Sequence, residues 1–247
     1  MALLKEEFES SGNWLFRWRS YLPLFMIGIC LLALREYVHP RPGENLSHAW
    51  VALCLMISFF GLGIRVFTIG YTPKGTSGRN TKKQIANDLN TSGIYSVVRN
   101  PLYLGNFFMG LGISLFAGLW WLALIYTLIF WLYYERIIFA EEAYLRNKFG
   151  SAYLGWANVT PVFIPKLNQY KKADLPFSIK NVLKREYNGF FAVVLAMFFL
   201  EVMRNIFSMG SFNFNLEWLW LLGISFALWI VLRSLKKYTR LLNVAGR

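Results

Sequence analysis

The sequence predicts an all-α, polytopic membrane protein of about six transmembrane helices, with a tight helical hairpin and cytoplasmic interfacial helices. Three observations predict it. Of 247 residues, 56% are hydrophobic, 18% aromatic and only 16% charged, the balance of a chain that lives in lipid. Apolar runs near the roughly 20 residues that a bilayer core requires occupy 21–38, 49–70, 101–117, 119–140, 189–207 and 216–232. Of 26 Lys and Arg, 23 fall in segments that six spans put on one side, leaving Arg35, Arg41 and Arg204 for the other. Basic residues stay cytoplasmic in membrane proteins, so both termini and the two long loops are expected there. If the source is bacterial, that membrane is an inner or plasma membrane. The net charge of +13 is therefore topology first and attraction to anionic headgroups second, at about 1 kcal/mol per basic residue. Nucleic acid is not an expected partner; the lipid bilayer is. Nothing in the sequence specifies an oligomeric state.

In chain order, residues 1–19 interleave Trp14, Phe16 and Trp18 with Arg17 and Arg19, which suits a helix in the headgroup layer. Glu6, Glu7 and Glu9 there disagree with a secretory leader, and the final NVAGR offers no cysteine for prenylation. Spans one and two are joined by HPRPGENLSH, which with His39 and His48 holds both histidines of the chain. Neither is near the charged central stretch, and Cys30 and Cys54 fall inside spans as small apolar residues, so no metal centre is expected.

The second span ends GLGIRVFTIG. Arg65 in it either snorkels to the interface or faces the bundle to meet an anion. The loop that follows carries Lys74, Arg79, Lys82 and Lys83 among Gly, Ser, Thr and Asn; it reads as a solvated loop or as a lid with a phosphate-binding patch. From Ser178 the pattern is amphipathic, with Ile179, Val182, Leu183 and Tyr187 on one face and Lys180, Lys184 and Arg185 elsewhere, as a helix lying in the headgroup plane requires. Glu201 and Arg204, three apart within the fifth span, pair on one helical face. The chain divides into 1–60, an N-terminal interfacial segment and first spans; 61–165, a core; and 166–247, an amphipathic linker with two closing spans.

The chemistry concentrates between 90 and 165, where polar residues crowd the mouths of the two runs of the hairpin. Arg99 can hold a carboxylate or phosphate bidentately, and Tyr95 and Tyr103 offer flat faces and hydroxyls. Glu135 and Arg136 lie near the end of the fourth span, where a charge is costly enough to suggest function. Glu141 and Glu142 are adjacent carboxylates that need a cation nearby: Arg99, Arg136, Arg146 or a bound ligand.

The pattern GIYSVVRNPLYLGN, about 35 apolar residues, then EEAYLRNKFGSAYLGWANVTPVFIP resembles integral membrane methyltransferases related to isoprenylcysteine carboxyl methyltransferase and phospholipid methyltransferases. Gly93, Tyr95, Arg99, Pro101, Tyr103 and Gly105 match the first element of that family's signature. Glu141, Glu142, Leu145, Phe149, Gly150, Tyr153, Pro161 and Pro165 match the second, and the resemblance runs over roughly 61–165. It implies S-adenosylmethionine as cofactor and methyl donor, held by Tyr95, Arg99, Asn100, Pro101, Tyr103, Gly105, Glu141, Glu142 and Tyr153, with an amphiphilic lipid substrate arriving from the bilayer. Under it Arg65, Arg136 and Glu135 become the candidate catalytic residues, the two arginines steering an anionic headgroup. Asn100 stands where the family usually has histidine. Asparagine cannot act as a base near neutral pH, so methylation of an oxygen that is already ionised, phosphate or carboxylate, is expected. N-methylation of an amino-phospholipid such as phosphatidylethanolamine, isoprenylcysteine carboxyl methylation, and a noncatalytic membrane scaffold are the alternatives.

Overall fold

A computed structural model describes residues 4–37, 47–73, 75–76, 84–210 and 215–247. His39 and Arg41 of the first connecting loop, and Lys74, Arg79, Lys82 and Lys83 of the loop read as solvated or as a lid, lie outside the described residues. Among those described the fold is all-α: α1 Leu4–Trp18, α2 Leu22–Tyr37, α3 His48–Tyr71, α4 Pro101–Phe116, α5 Trp120–Phe149, α6 Ser151–Val159, α7 Ile179–Met209 and α8 Leu216–Tyr238. The protein is a multi-pass membrane protein, but the expectation of six spans is corrected. Among the described residues four helices, α3, α5, α7 and α8, are long and apolar enough to cross a membrane, or five if α1 and α2, bent by 79°, act as one. The reason is length: among the described residues α2 and α4 have 16 each, about 24 Å of rise against about 30 Å of hydrocarbon.

Small residues set a close contact between α3 and α4. A Cβ on Gly105 of α4 would stand 2.5 Å from Arg65 Cγ and 2.7 Å from the Gly61 carbonyl of α3, so the two backbones cross at a distance only glycine permits. Ser58 Oγ of α3 donates to the Met109 carbonyl of α4 at 2.9 Å in the same crossing. Between α4 and α5, Gly118 at φ +79° turns the chain within the three residues 117–119. The Tyr126 hydroxyl then bonds back to the Asn106 and Phe107 carbonyls at 3.2 and 3.0 Å.

The second correction concerns the stretch from Ser178. It does not form a surface helix separate from the fifth span; α7 runs unbroken for 31 residues, about 46 Å. Ser178 caps it by accepting from Asn181 N at 3.3 Å. Asn181 and Glu186, which a surface helix would expose, are each 4% exposed. Asn181 Nδ2 donates to the Ile69 carbonyl at 2.8 Å, and Glu186 turns in to meet Arg65. These two inward polar side chains dock the first turns of α7 on α3, and the helix has no reason to break.

Two apolar clusters fill the bundle. Phe16, Tyr103, Tyr126, Phe130, Tyr134 and Ile137 form one, beneath α1 and towards the motif segments. Cys30, Leu34, Cys54, Phe116, Met197 and Leu200 form the other, at the far end, where both cysteines are free and buried. Helix α8 packs on α7 and leaves Trp220, Ile224, Phe226 and Val231 exposed, a face whose natural solvent is lipid.

Candidate functional site

The two motif segments meet through backbone hydrogen bonds. Gly93, at φ +60°, opens the short 3-10 turn Ile94–Ser96, a conformation that favours glycine. From there the chain pairs with the segment after α6. Gly93 N donates to the Lys171 carbonyl, Arg99 N to the Pro161 carbonyl and Lys166 N to the Val97 carbonyl, each at 2.9 Å. Trp156 Nε1 reaches the Tyr95 carbonyl at 3.0 Å, and Asn100 Nδ2 reaches the Val162 carbonyl at 3.2 Å. Pro101 then opens α4 at a position where its missing N–H costs nothing. At the end of α5, Gly150 at φ +53° turns the chain into α6 and brings Tyr153 back over Glu142.

Three polar clusters result. In the first, Arg99 Nη1 lies 2.7 Å from Glu142 Oε1, with the Tyr153 hydroxyl beside both. Arg99 Nε, Glu142 Oε1 and Tyr153 OH are buried together at the centre of this cluster. Burial pushes the Tyr153 phenol up to about 12, so it is a neutral donor at physiological pH. Burial likewise raises the phenol of Tyr95.

In the second cluster the Tyr103 hydroxyl donates to Glu141 Oε1 at 2.8 Å and accepts from Arg19 Nη1 at 3.2 Å. Arg19 is 3.6 Å from Glu141 and lies over the Phe16 ring at 4.0 Å. In the third, Arg65 Nε and Nη2 bind the two oxygens of Glu186 at 2.8 Å each, while Nη1 donates to Asn106 Oδ1 at 2.7 Å. Asn106 Nδ2 extends this cluster to the Tyr134 hydroxyl at 3.4 Å. The Tyr103 and Tyr134 rings, 4.6 Å apart, join the second cluster to the third. A cavity of about 270 Å³ opens alongside, with Tyr71, Asp88, Ser92, Tyr95 and Asp174 in its wall.

Of the residues singled out from sequence, Tyr95, Arg99, Asn100, Tyr103, Glu141, Glu142 and Tyr153 gather here, and Arg65 lies one cluster away. Gly105 is spent on the α3–α4 crossing, which also shapes the bed of Arg65. Arg136 packs under α1, with Nη1 3.2 Å from Ser11 Oγ and its guanidinium over the Phe8 ring at 4.7 Å. Glu135 is exposed on α5. Sequence reasoning missed Arg19, Asn106 and Glu186. Glu186 had a signal: it is the one carboxylate between Asp174 and Glu201 in an otherwise basic and apolar stretch. Among the described residues no three His, Cys, Asp or Glu are grouped as a metal requires.

Residues 50–152, under half of the chain, match the phospholipid methyltransferase family. The chain is similar to the protein-S-isoprenylcysteine O-methyltransferase of Schizosaccharomyces pombe, 38% identical over 75 residues, covering 30% of this chain and 32% of that protein. It is similar also to the cobalt-zinc-cadmium resistance protein CzcN of Cupriavidus metallidurans, 32% identical over 124 residues, covering 49% of this chain and 54% of the other. A third relative is the nickel-cobalt-cadmium resistance protein NccN of Alcaligenes xylosoxydans xylosoxydans, 31% identical over 124 residues, covering 49% and 55%. The chain thus spans about a third of the first relative and about half of the other two. No solved structure matches it. The family match and the first relative connect the central stretch to methyltransferases.

Proposed function

We propose that the protein is an S-adenosylmethionine-dependent membrane methyltransferase acting on an amphiphilic lipid at an acidic oxygen. The observation that carries the reading is the cluster of Arg99, Glu142 and Tyr153, drawn from both motif segments, whose Arg99 Nε, Glu142 Oε1 and Tyr153 OH atoms are buried together around a 2.7 Å ion pair. Buried polar atoms of both charges, gathered from distant segments, fit a zwitterionic ligand. S-adenosylmethionine would supply a methyl group on a positively charged sulfur. In this reading Arg99 binds the cofactor carboxylate, Glu141 and Glu142 face its cationic groups, and the Tyr153 hydroxyl stays protonated as a donor. Tyr95 and Tyr103 add aromatic wall.

The chain's contribution to rate is positioning and exclusion of water. An anionic oxygen meeting a sulfonium loses charge on the way to the transition state, which a low-dielectric bundle favours. No base is then needed, in keeping with Asn100, whose side chain is held by the Val162 carbonyl. The S. pombe relative is an O-methyltransferase, which supports an oxygen acceptor. The phospholipid methyltransferase match favours a second reading, methylation of a phospholipid amine. Both termini on the cytoplasmic side remain part of the proposal.

Incubating purified protein with labelled methyl donor and total membrane lipid, then identifying the labelled product by mass spectrometry, decides between them. A base-labile methyl ester supports the first reading and an N-methylated lipid the second. Cofactor binding without any transfer would leave a scaffold.

A further inference from the structure

We infer that Glu186, on α7 and outside the 50–152 stretch shared with the methyltransferase family, is a positioning residue of the acceptor subsite that fixes the guanidinium of Arg65. The inference rests on the proposed methyl transfer to a lipid and adds the C-terminal helices to the site that performs it.

The geometry is specific. Arg65 is six residues from the end of α3 at Tyr71, about 9 Å along the axis, within reach of the interface for a snorkelling side chain. It does not snorkel: both Glu186 oxygens take it in a bidentate pair, and its side chain is 14% exposed against 4% for Glu186. The planar fork of arginine matches a carboxylate in one orientation, so the pair fixes the plane of the guanidinium. Asn106 Oδ1 fixes its remaining edge. The Asn106 amide is itself tied through Nδ2 to the Tyr134 hydroxyl at 3.4 Å. Three of the five N–H donors of an arginine are committed by these contacts, and Arg65 is held facing the bundle rather than the headgroup layer.

Depth assigns the subsite. The Arg99, Glu142 and Tyr153 cluster lies where α4 begins and α5 ends, the place for a water-soluble cofactor. Asn106 is five residues beyond Pro101, the first residue of α4, deeper in the bundle than that cluster, where the acceptor end of a lipid would meet the methyl group. A guanidinium fixed there offers directed N–H donors to an acidic headgroup. With its charge offset by Glu186, it does not trap that headgroup as a free arginine would.

A purely structural pair would only fasten α7 to α3, and the experiment separates the two roles. Full-length protein in lipid nanodiscs is compared as wild type, Glu186→Gln, Glu186→Asp and the double variant Arg65→Met/Glu186→Leu, which replaces the pair by apolar side chains of similar volume. Such replacements commonly keep or raise stability. Three quantities are read: thermal midpoint, affinity for S-adenosylhomocysteine, and kcat and KM for the lipid that the wild type methylates. The expected result is a rise in lipid KM of about tenfold or more for Glu186→Gln and for the folded double variant, partial recovery with Glu186→Asp, and cofactor affinity within about twofold throughout. A double variant as stable as the wild type with unchanged lipid KM overturns the inference and leaves a structural pair. A wild type that transfers methyl to no lipid overturns the functional reading itself, and the inference with it.

Discussion

The two ends of the bundle each hold buried arginine–glutamate pairs, and they are built differently. At the far end Glu201 and Arg204 are three residues apart on α7, 2.9 Å between charged atoms, with the Arg204 guanidinium over the Phe116 ring at 5.4 Å. That pair needs one turn of helix and forms wherever the helix forms. At the motif end Arg99 meets Glu142, and Arg65 meets Glu186 across 121 positions of sequence. Those pairs exist only if the fold does. A chain that wanted charge compensation in lipid obtains it most simply within one helix. Each end leaves one guanidinium Nε without a hydrogen bond, Arg99 at the motif end and Arg204 at the far end, so the difference lies in the assembly from distant segments, which a ligand site explains better than stability does.

Breaking each pair tests that difference, and the largest effect is expected at the motif end. Arg99→Ala and Glu142→Gln should each weaken S-adenosylhomocysteine binding by about a hundredfold, some 2.7 kcal/mol, while the helical circular dichroism spectrum stays that of the wild type. Calorimetric titration measures it, and unchanged affinity in both variants would contradict the site. At the far end the outcome should reverse. Arg204→Met leaves Glu201 buried without its cation, which costs about 3 kcal/mol or more of stability. The thermal midpoint should fall and cofactor affinity should not.

That contrast also marks what was legible before the fold was known. The Glu201–Arg204 pair was readable because three residues of spacing suffices. The apolar runs were readable because hydrophobicity is a local property, and the motif residues because two spaced signatures survive in the sequence. What was not readable depended on tertiary partners. Arg19 reads as a headgroup residue until Tyr103 and Glu141 are seen beside it. Glu186 sits in a basic amphipathic pattern that argues for a surface helix, and only the inward turn to Arg65 makes it part of a span. The count of six spans failed at α2 and α4 because hydropathy reports that a segment is apolar. It does not report that 16 residues of helix fall short of the bilayer.

The α3–α4 crossing gives a smaller perturbation that reaches the site without touching its charges. Gly105→Ala would set a methyl group against Arg65 Cγ and the Gly61 carbonyl, and the backbone of the crossing cannot yield as a flexible side chain can. Overpacking of this kind costs about 1–3 kcal/mol, read as a lower thermal midpoint. Because Arg65 is one of the displaced groups, lipid KM should rise more than the cofactor affinity changes. Equal shifts in the two would mean that the crossing supports the whole site rather than its acceptor side.

The smallest effect is expected at Asn100, and it is the most informative about chemistry. Its Nδ2 donates to the Val162 carbonyl, a contact that ties the start of α4 to the segment after α6. A neutral histidine has one ring N–H to donate in the same place, so Asn100→His should fold and bind cofactor within about threefold of the wild type. If the acceptor is an oxygen already ionised at neutral pH, a base at this position has no proton to remove. The rate should then stay within about threefold between pH 6 and 9 in both proteins. If the acceptor is an amine, the introduced imidazole has a proton to take. The histidine variant would then outpace the wild type, with a rise in rate through the imidazole range near pH 6.5. A pH profile that changes on this one substitution would therefore overturn the ionised-oxygen reading even where product identification had been ambiguous.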